Sequence, residues 1–319
     1  MHQLNVSGCL DNATYNEEIC SKILKNALNT TRQNFEQHTS TKFEILKGVS
    51  ISFCSLSILL NITLIMLHYK DPLKRFRSSS SFLILNLAIA DFCGASLRLL
   101  DIVYKSKNQM TIKIIHWLIE APLQCSFITA MFVSLDRHVA IAFPFKYRAM
   151  DRPKRMIIVN TGVWLFSLSL CAILYFVPSI SNSFAPNMVY PVNIFILCAI
   201  ILVFYTSTHR TFRRQRKQLF TLNSTNQQLC QQKLKTEKNL ANTMLLVSFS
   251  LILFTTPYML LYFFTQTKCF SCILNNYFQE FWSYWPSLFT FVYITNPIIY
   301  AWKIPNYRKS LKKLLNTLF

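Results

Sequence analysis

The chain has 319 residues, 52% of them hydrophobic and 14% charged, with a formal net charge of +20. That charge fraction is about half the ~25% of soluble domains, and the apolar residues fall in runs too long for a soluble core, which excludes an ordinary soluble enzyme. The lysines and arginines flank those runs instead of forming a patch with aromatic platforms, which excludes a nucleic-acid binder.

Residues 1–42 are polar and read as a glycosylated tail, with acceptor sequons at Asn5, Asn12 and Asn29. No apolar stretch precedes residue 43, so the first span is expected to act as its own export signal. Seven apolar segments follow, at about 43–67, 79–103, 112–142, 156–178, 188–207, 240–265 and 278–302. Each approaches or exceeds the ~20 residues a helix needs to cross ~30 Å of hydrocarbon. Backbone groups in lipid must pair within their own segment, so all seven are predicted to be helices. Barrel strands would be shorter and alternating. The expected fold is an all-α membrane protein: a seven-transmembrane helix bundle over 43–303, then a short amphipathic eighth helix within 304–319.

The second segment holds Asp91, which has no opposite charge in its own helix. Arg98 and Asp101 follow, three apart on one face, and are expected to pair locally. The third segment carries His116 and Glu120 one turn apart, then Asp136 and Arg137 near its end. Ionisable groups inside a membrane cost ~2.5–3.5 kcal/mol on insertion scales and default to a functional reading. A lone arginine at a helix end could snorkel to the headgroups. Here the adjacent acid and the further apolar run "HVAIAFPF" argue against a lipid-facing anchor. Glu237 opens the sixth segment on the same side and is a candidate second partner for Arg137.

Lys70, Lys74, Arg75 and Arg77, then Lys146, Arg148, Arg152, Lys154 and Arg155, then "HRTFRRQRKQLF" and the basic tail all fall on one face of the predicted bundle. The positive-inside rule makes that face cytoplasmic, with the N-terminus outside. Cys54, Cys93, Cys125, Cys171 and Cys198 lie within spans and read as small buried residues. Cys9, Cys20, Cys269 and Cys272 fall on the oxidising side, where disulfides persist; "KCFSC" could close Cys269 on Cys272, or either could reach the tail. A seven-helix transporter or channel is the main alternative. Such proteins tend to show internal repeats and Gly/Pro-interrupted spans around a midplane site, whereas no duplication is visible here and glycine numbers 4. An intramembrane enzyme is disfavoured, because Asp91 with Ser126 supplies no base and nucleophile pair.

Asn61, "LNLAIAD" with Asp91, "DRH" at 136–138, Trp164, Tyr205, Pro257 and "NPIIY" at 296–300 followed by "WKIPNYRKSLKKLL" occur in order, one signal per helix. On these residues the chain resembles the rhodopsin-like (class A) G-protein-coupled receptors over about 43–315. The resemblance implies that Arg137 holds Asp136 and Glu237 at rest, then packs near Tyr205 and Tyr300 as the sixth helix swings out and a heterotrimeric G protein enters. It implies a sodium site at Asp91, Ser126 and Asn296 and no other cofactor. It also implies bends at Pro257 and Pro297, where the backbone bond is lost. Residues 305–318 would lie on the inner leaflet of the bilayer.

Departures accompany the resemblance. Thr111 and Ile112 stand where the third helix usually carries a disulfide cysteine, Thr255 stands where the sixth usually carries tryptophan, and His138 replaces tyrosine after Arg137. The first of these, with a cysteine pair in the third outer loop, is similar to the melanocortin, cannabinoid and lysophospholipid receptor branch. An aminergic anchor aspartate is replaced by Ile119 and Glu120, so a peptide or lipid ligand is expected ahead of a monoamine. Asp101, His116, Glu120, Thr255 and Glu280 are the candidate ligand-binding residues.

Overall fold

The computed structural model describes residues 17–74, 76–104, 108–150, 153–177, 184–220, 227–266 and 290–318. They form nine helices: α1 Glu17–Lys70, α2 Ser79–Val103, α3 Gln109–Ala142, α4 Pro144–Met150, α5 Pro153–Phe176, α6 Phe184–Phe220, α7 Gln227–Gln266, α8 Val292–Lys303 and α9 Pro305–Leu318. The chain divides into two compact units, Met1–Gly48 and Val49–Phe319. In the first, the described backbone is the opening part of α1. The second carries the remainder of α1 and all of α2 to α9.

Six stretches among the described residues are long and apolar enough to cross a membrane: Glu44–Lys70, Ser79–Val103, Gln109–Ala142, Lys154–Phe176, Val192–Gln215 and Lys238–Pro257. Of the seventh predicted segment, α8 is the described part, and 267–289 lie outside. α5 exposes Ile157, Ile158, Leu165 and Phe166. In water such a face would cost free energy, whereas lipid tails are its matching solvent. α3 is the axis of the bundle, packing on α2, α5, α6 and α7. Two apolar cores surround it, one through Phe127, Val163, Cys171 and Ile201, the other through Leu83, Val133, Met244 and Tyr300. The five cysteines predicted to lie within spans are free thiols there, Cys93 only half buried.

Helix ends follow local chemistry. Ser78 caps α2 by accepting from the Ser81 N–H at 3.4 Å, and Asn108 caps α3 by accepting from the Met110 N–H at 2.9 Å. α4, α5 and α9 each open on proline, whose missing N–H costs nothing in a first turn. The α1–α2 turn places Asp71 (φ 34°) and Lys74 (φ 51°) in the left-handed region. α6 and α7 run well beyond the apolar segments at 188–207 and 240–265, because the arginines, lysines and glutamines there are good helix formers.

α9 buries Tyr307, Ser310 and Leu314 and leaves Arg308, Lys309, Lys312 and Lys313 exposed, the two-faced pattern predicted for it. Tyr307 packs on Phe76 with ring centroids 4.6 Å apart, and Lys313 Nζ donates to the Pro72 carbonyl at 3.1 Å. α2 packs tightly on α8 at Gly94: a Cβ there would lie 2.8 Å from the Tyr293 ring.

Candidate functional site

α3 continues through Asp136 and Arg137 to Ala142, breaks at Phe143, and hands over to α4 at Pro144. The short α4 carries Tyr147 back over the end of α3. Arg137 is 4% exposed. Its Nη2 and Nε donate to Asp136 Oδ2 at 2.6 and 3.1 Å, and Nη2 also donates to Tyr147 Oη at 2.9 Å and to Ser80 Oγ of α2. Tyr147 Oη in turn donates to Asp136 Oδ1 at 3.0 Å, and Ser80 Oγ to Asp136 Oδ2 at 2.8 Å. A hydroxyl offers one donor and two lone pairs, so each of these two hydroxyls bridges the guanidinium to the carboxylate. A buried charge tolerates its loss of water only when paired and hydrogen-bonded in this way.

The other side of Arg137 faces α6 and α7. It lines a small crevice of about 20 Å³ with Tyr205, Thr208, Ala241, Met244 and Leu245. The guanidinium is thus held inside the bundle by α2 and α4, while Arg137 also borders the crevice that α7 closes. Glu237 lies on α7, but its side chain is outside the described residues. Tyr300, fully buried, stacks on Tyr307 with centroids 6.0 Å apart, and its hydroxyl has no hydrogen-bond partner among the described residues.

The second polar centre lies in mid-bundle. Asp91 is fully buried. Asn296 Nδ2 of α8 donates to its Oδ2 at 2.7 Å, and Ser126 Oγ of α3 reaches its Oδ1 at 3.4 Å. The sequence left Asp91 without a partner in its own helix; α3 and α8 supply two. Asn296 Oδ1 is buried without a hydrogen-bond partner among the described residues. Asp91 and Ser126 bring a carboxylate and a hydroxyl together, and the amide that donates to Asp91 carries an oxygen still open, a donor set that suits a hard cation.

Pro297 explains a third cluster. It has no N–H, so the carbonyl four residues earlier, on Tyr293, loses its helical donor. Ser57 Oγ and Asn61 Nδ2 of α1 both donate to that oxygen, each at 2.9 Å. Asn61 is fully buried in this role, although Asn-Ile-Thr at 61–63 also has the form of an acceptor sequon. Asn86 of α2 similarly ties three helices, donating to Thr129 Oγ1 at 2.7 Å and accepting from Trp164 Nε1 at 3.0 Å.

Among the described residues, the candidate ligand residues Asp101, His116, Glu120 and Thr255 are not brought into one cluster. Arg98 pairs with Asp101 at 3.2 Å, Tyr175 hydrogen-bonds Glu120, and His116 is exposed. Thr255, on the half of α7 that carries Pro257, is 1% exposed and turns its hydroxyl back to the Leu251 carbonyl. Glu280, Cys269, Cys272, Asn5 and Asn12 lie outside the described residues, and Asn29 falls on the α1 backbone with its side chain undescribed. The sequence reading missed Ser80, Tyr147 and Ser57. A proline one turn before Tyr147 announces a helix start, but nothing local says where that helix turns. Ser80 sits in a run of four serines, any of which could have faced α3.

A family model for seven-transmembrane receptors of the rhodopsin family matches residues 60–300. Comparison with curated proteins gives no match. Among solved structures, the crystal structure of squid rhodopsin superposes with a TM-score of 0.74 at 18% identity, covering 87% of this chain and 86% of that one. That likeness is one of fold. The family match spans most of the chain, including Asp91, the Asp136–Arg137 pair, Asn296 and Tyr300, and with it the chain belongs to the rhodopsin family of seven-transmembrane, G-protein-coupled receptors.

Proposed function

We propose that the chain binds an extracellular ligand and activates a heterotrimeric G protein at the Arg137 end of the bundle, by outward movement of α7. The single observation that carries this reading is the setting of Arg137. It is buried and clamped by Asp136, Ser80 and Tyr147 on one side, while Ala241, Met244 and Leu245 of α7 close the crevice on the other. A packed interface of this kind has discrete arrangements, so displacing α7 exposes the guanidinium to a partner without moving charge across the membrane. On this reading Glu237 is a further partner of Arg137 at rest. Tyr205, already in the crevice, and Tyr300, with its open hydroxyl, receive the arginine when α7 leaves. The Arg137 end is cytoplasmic, the N-terminus extracellular, and the basic ends of α6 and α7 flank the G protein.

Asp91, Ser126 and Asn296 are proposed to hold a sodium ion that stabilises the closed state. The ligand is proposed to be a peptide or lipid ahead of a monoamine, since Ile119 is buried and Glu120 is engaged by Tyr175. Asn5, Asn12 and Asn29 are proposed glycosylation sites, and Cys269 with Cys272 a disulfide pair. The test is a cell-based G-protein activation screen of pooled peptides, lipids and amines on the full chain and on Arg137→Ala. A hit is expected to lose its effect on the variant at equal surface expression; equal activation of both forms would overturn the coupling mechanism.

A further inference from the structure

Arg98 and Asp101 continue the inward stripe of α2. Ile84, Leu87, Asp91 and Gly94 recur along that stripe at three- and four-residue spacing, and all four are buried. Arg98 and Asp101 extend the same spacing toward the end of the helix at Val103. Leu100 and Val103, both exposed, mark the opposite, lipid side of the same turns. The ion pair therefore faces the bundle, where Cys54 of α1 and Tyr293 of α8 both feel the Arg98 charge. Its two side chains are nevertheless 23% and 27% exposed, so the pair opens on the bundle side of α2 and is not sealed within it.

The pair leaves half of the guanidinium unused. Arg98 Nη1 donates to Asp101 Oδ2 at 3.2 Å, the one hydrogen bond this side chain makes among the described residues. Nε is buried and has no acceptor there. A guanidinium carries five N–H groups in a planar fork, so the edge formed by Nε and Nη2 stands open. Stability does not call for this arrangement, since apolar residues in place of an interior ion pair are often neutral or better. Such an edge takes a carboxylate through two parallel N–H···O bonds.

We propose that Arg98 anchors the free C-terminal carboxylate of a peptide ligand on its Nε–Nη2 edge. This rests on the reading above that the chain binds an extracellular ligand, and it supplies the chemistry of recognition. A single negative charge suits the site: Asp101 stands beside the fork, and a doubly charged phosphate would set two charges against that carboxylate for one cation. A peptide suits it better than an acyl chain. Below Arg98 the way is closed where Gly94 meets the Tyr293 ring, with 2.8 Å left for a Cβ, so whatever follows the carboxylate runs outward. Arg98 lies five residues before Val103, a depth of ~7.5 Å at ~1.5 Å per residue, which about two extended residues span. Peptide backbone is at ease on that outward path toward water, whereas a hydrocarbon tail is not.

Purified full-length receptor in detergent is incubated with an N-acetylated tetrapeptide library ending in free carboxylates, and separately with the same sequences ending in amides. Retained peptides are identified by mass spectrometry, and enrichment is expected from the acid library alone. The best acid, resynthesised, is expected to bind about ten-fold or more tightly than its amide, the worth of a charge-assisted hydrogen bond, and Arg98→Gln is expected to lose the same factor. Arg98→Lys keeps the charge without the fork and is expected to recover part of it. Asp101→Asn is expected to act in the opposite direction, tightening the acid a few-fold by removing a rival for the guanidinium, and it serves if Arg98→Gln does not fold. Four results would each overturn the proposal. They are no enrichment from the acid library, equal binding of the amide, equal binding of oleate at the same site, and weakening by Asp101→Asn in step with Arg98→Gln, which would make the pair purely structural. Selective binding of acids without G-protein activation would count against the coupling reading alone, whereas a G-protein agonist indifferent to Arg98→Gln would count against this proposal alone.

Discussion

Tyr147→Phe removes one oxygen from the Arg137 network and keeps the ring, whose centroid lies 5.7 Å from the guanidinium carbon. The lost hydroxyl accepts from Arg137 Nη2 at 2.9 Å and donates to Asp136 Oδ1 at 3.0 Å. Hydrogen bonds to charged groups contribute ~1.5–3 kcal/mol. Tyr147 is half-buried, so water replaces part of the loss, and ~1.5 kcal/mol for the pair is the figure to use. If the network belongs to the closed state, that amount shifts the closed–open equilibrium about ten-fold. An open state populated at ~1%, inside the usual range for a minor conformer, would rise to ~10%. The readout is agonist-free nucleotide exchange on a panel of purified G-protein heterotrimers, normalised to receptor at the surface. A rise of that order is expected for Tyr147→Phe, and a rise in the same direction for Ser80→Ala. An unchanged basal rate at equal receptor level would refute the view that these hydroxyls hold the resting state.

Three further outcomes follow from the geometry. Asn61→Ala should lower thermal stability by ~1–3 kcal/mol, because it strips a donor from the Tyr293 carbonyl; in a Pro297→Ala background, where the helix regains its own N–H, the same change should cost less, and additive losses in the melting curves would contradict the carbonyl account. Gly94→Ala should destabilise by ~1–3 kcal/mol through overpacking against Tyr293. Tyr293→Leu should recover most of that loss, and a double variant as unstable as Gly94→Ala alone would place the clash elsewhere. Finally, sodium chloride should raise the melting temperature above that in an equal concentration of choline chloride, by the linkage expected of any ligand of the folded state; Asp91→Asn should abolish the difference, and its persistence would remove the ion from this site.

Sequence alone establishes the helical character of the chain, the approximate limits of its apolar segments and the presence of charges that a membrane helix does not carry without reason. Length and periodicity suffice for that, since in lipid each helix closes its own backbone bonds. It also identified Asp91 and Arg137 as residues to explain, because an ionisable group in hydrocarbon is expensive wherever it sits, and the family resemblance added Asn296. The tertiary structure decided who meets them. Asp91 is engaged by partners 35 and 205 positions away, Arg137 by a serine 57 positions earlier, and the Tyr293 carbonyl by an asparagine 232 positions earlier. Such pairings depend on the rotation and depth of each helix against its neighbours, fixed by packing of whole faces around α3. No local pattern encodes them: the serines at 78–81 are alike in sequence, and only the placement of α2 beside α3 turns Ser80 toward Asp136.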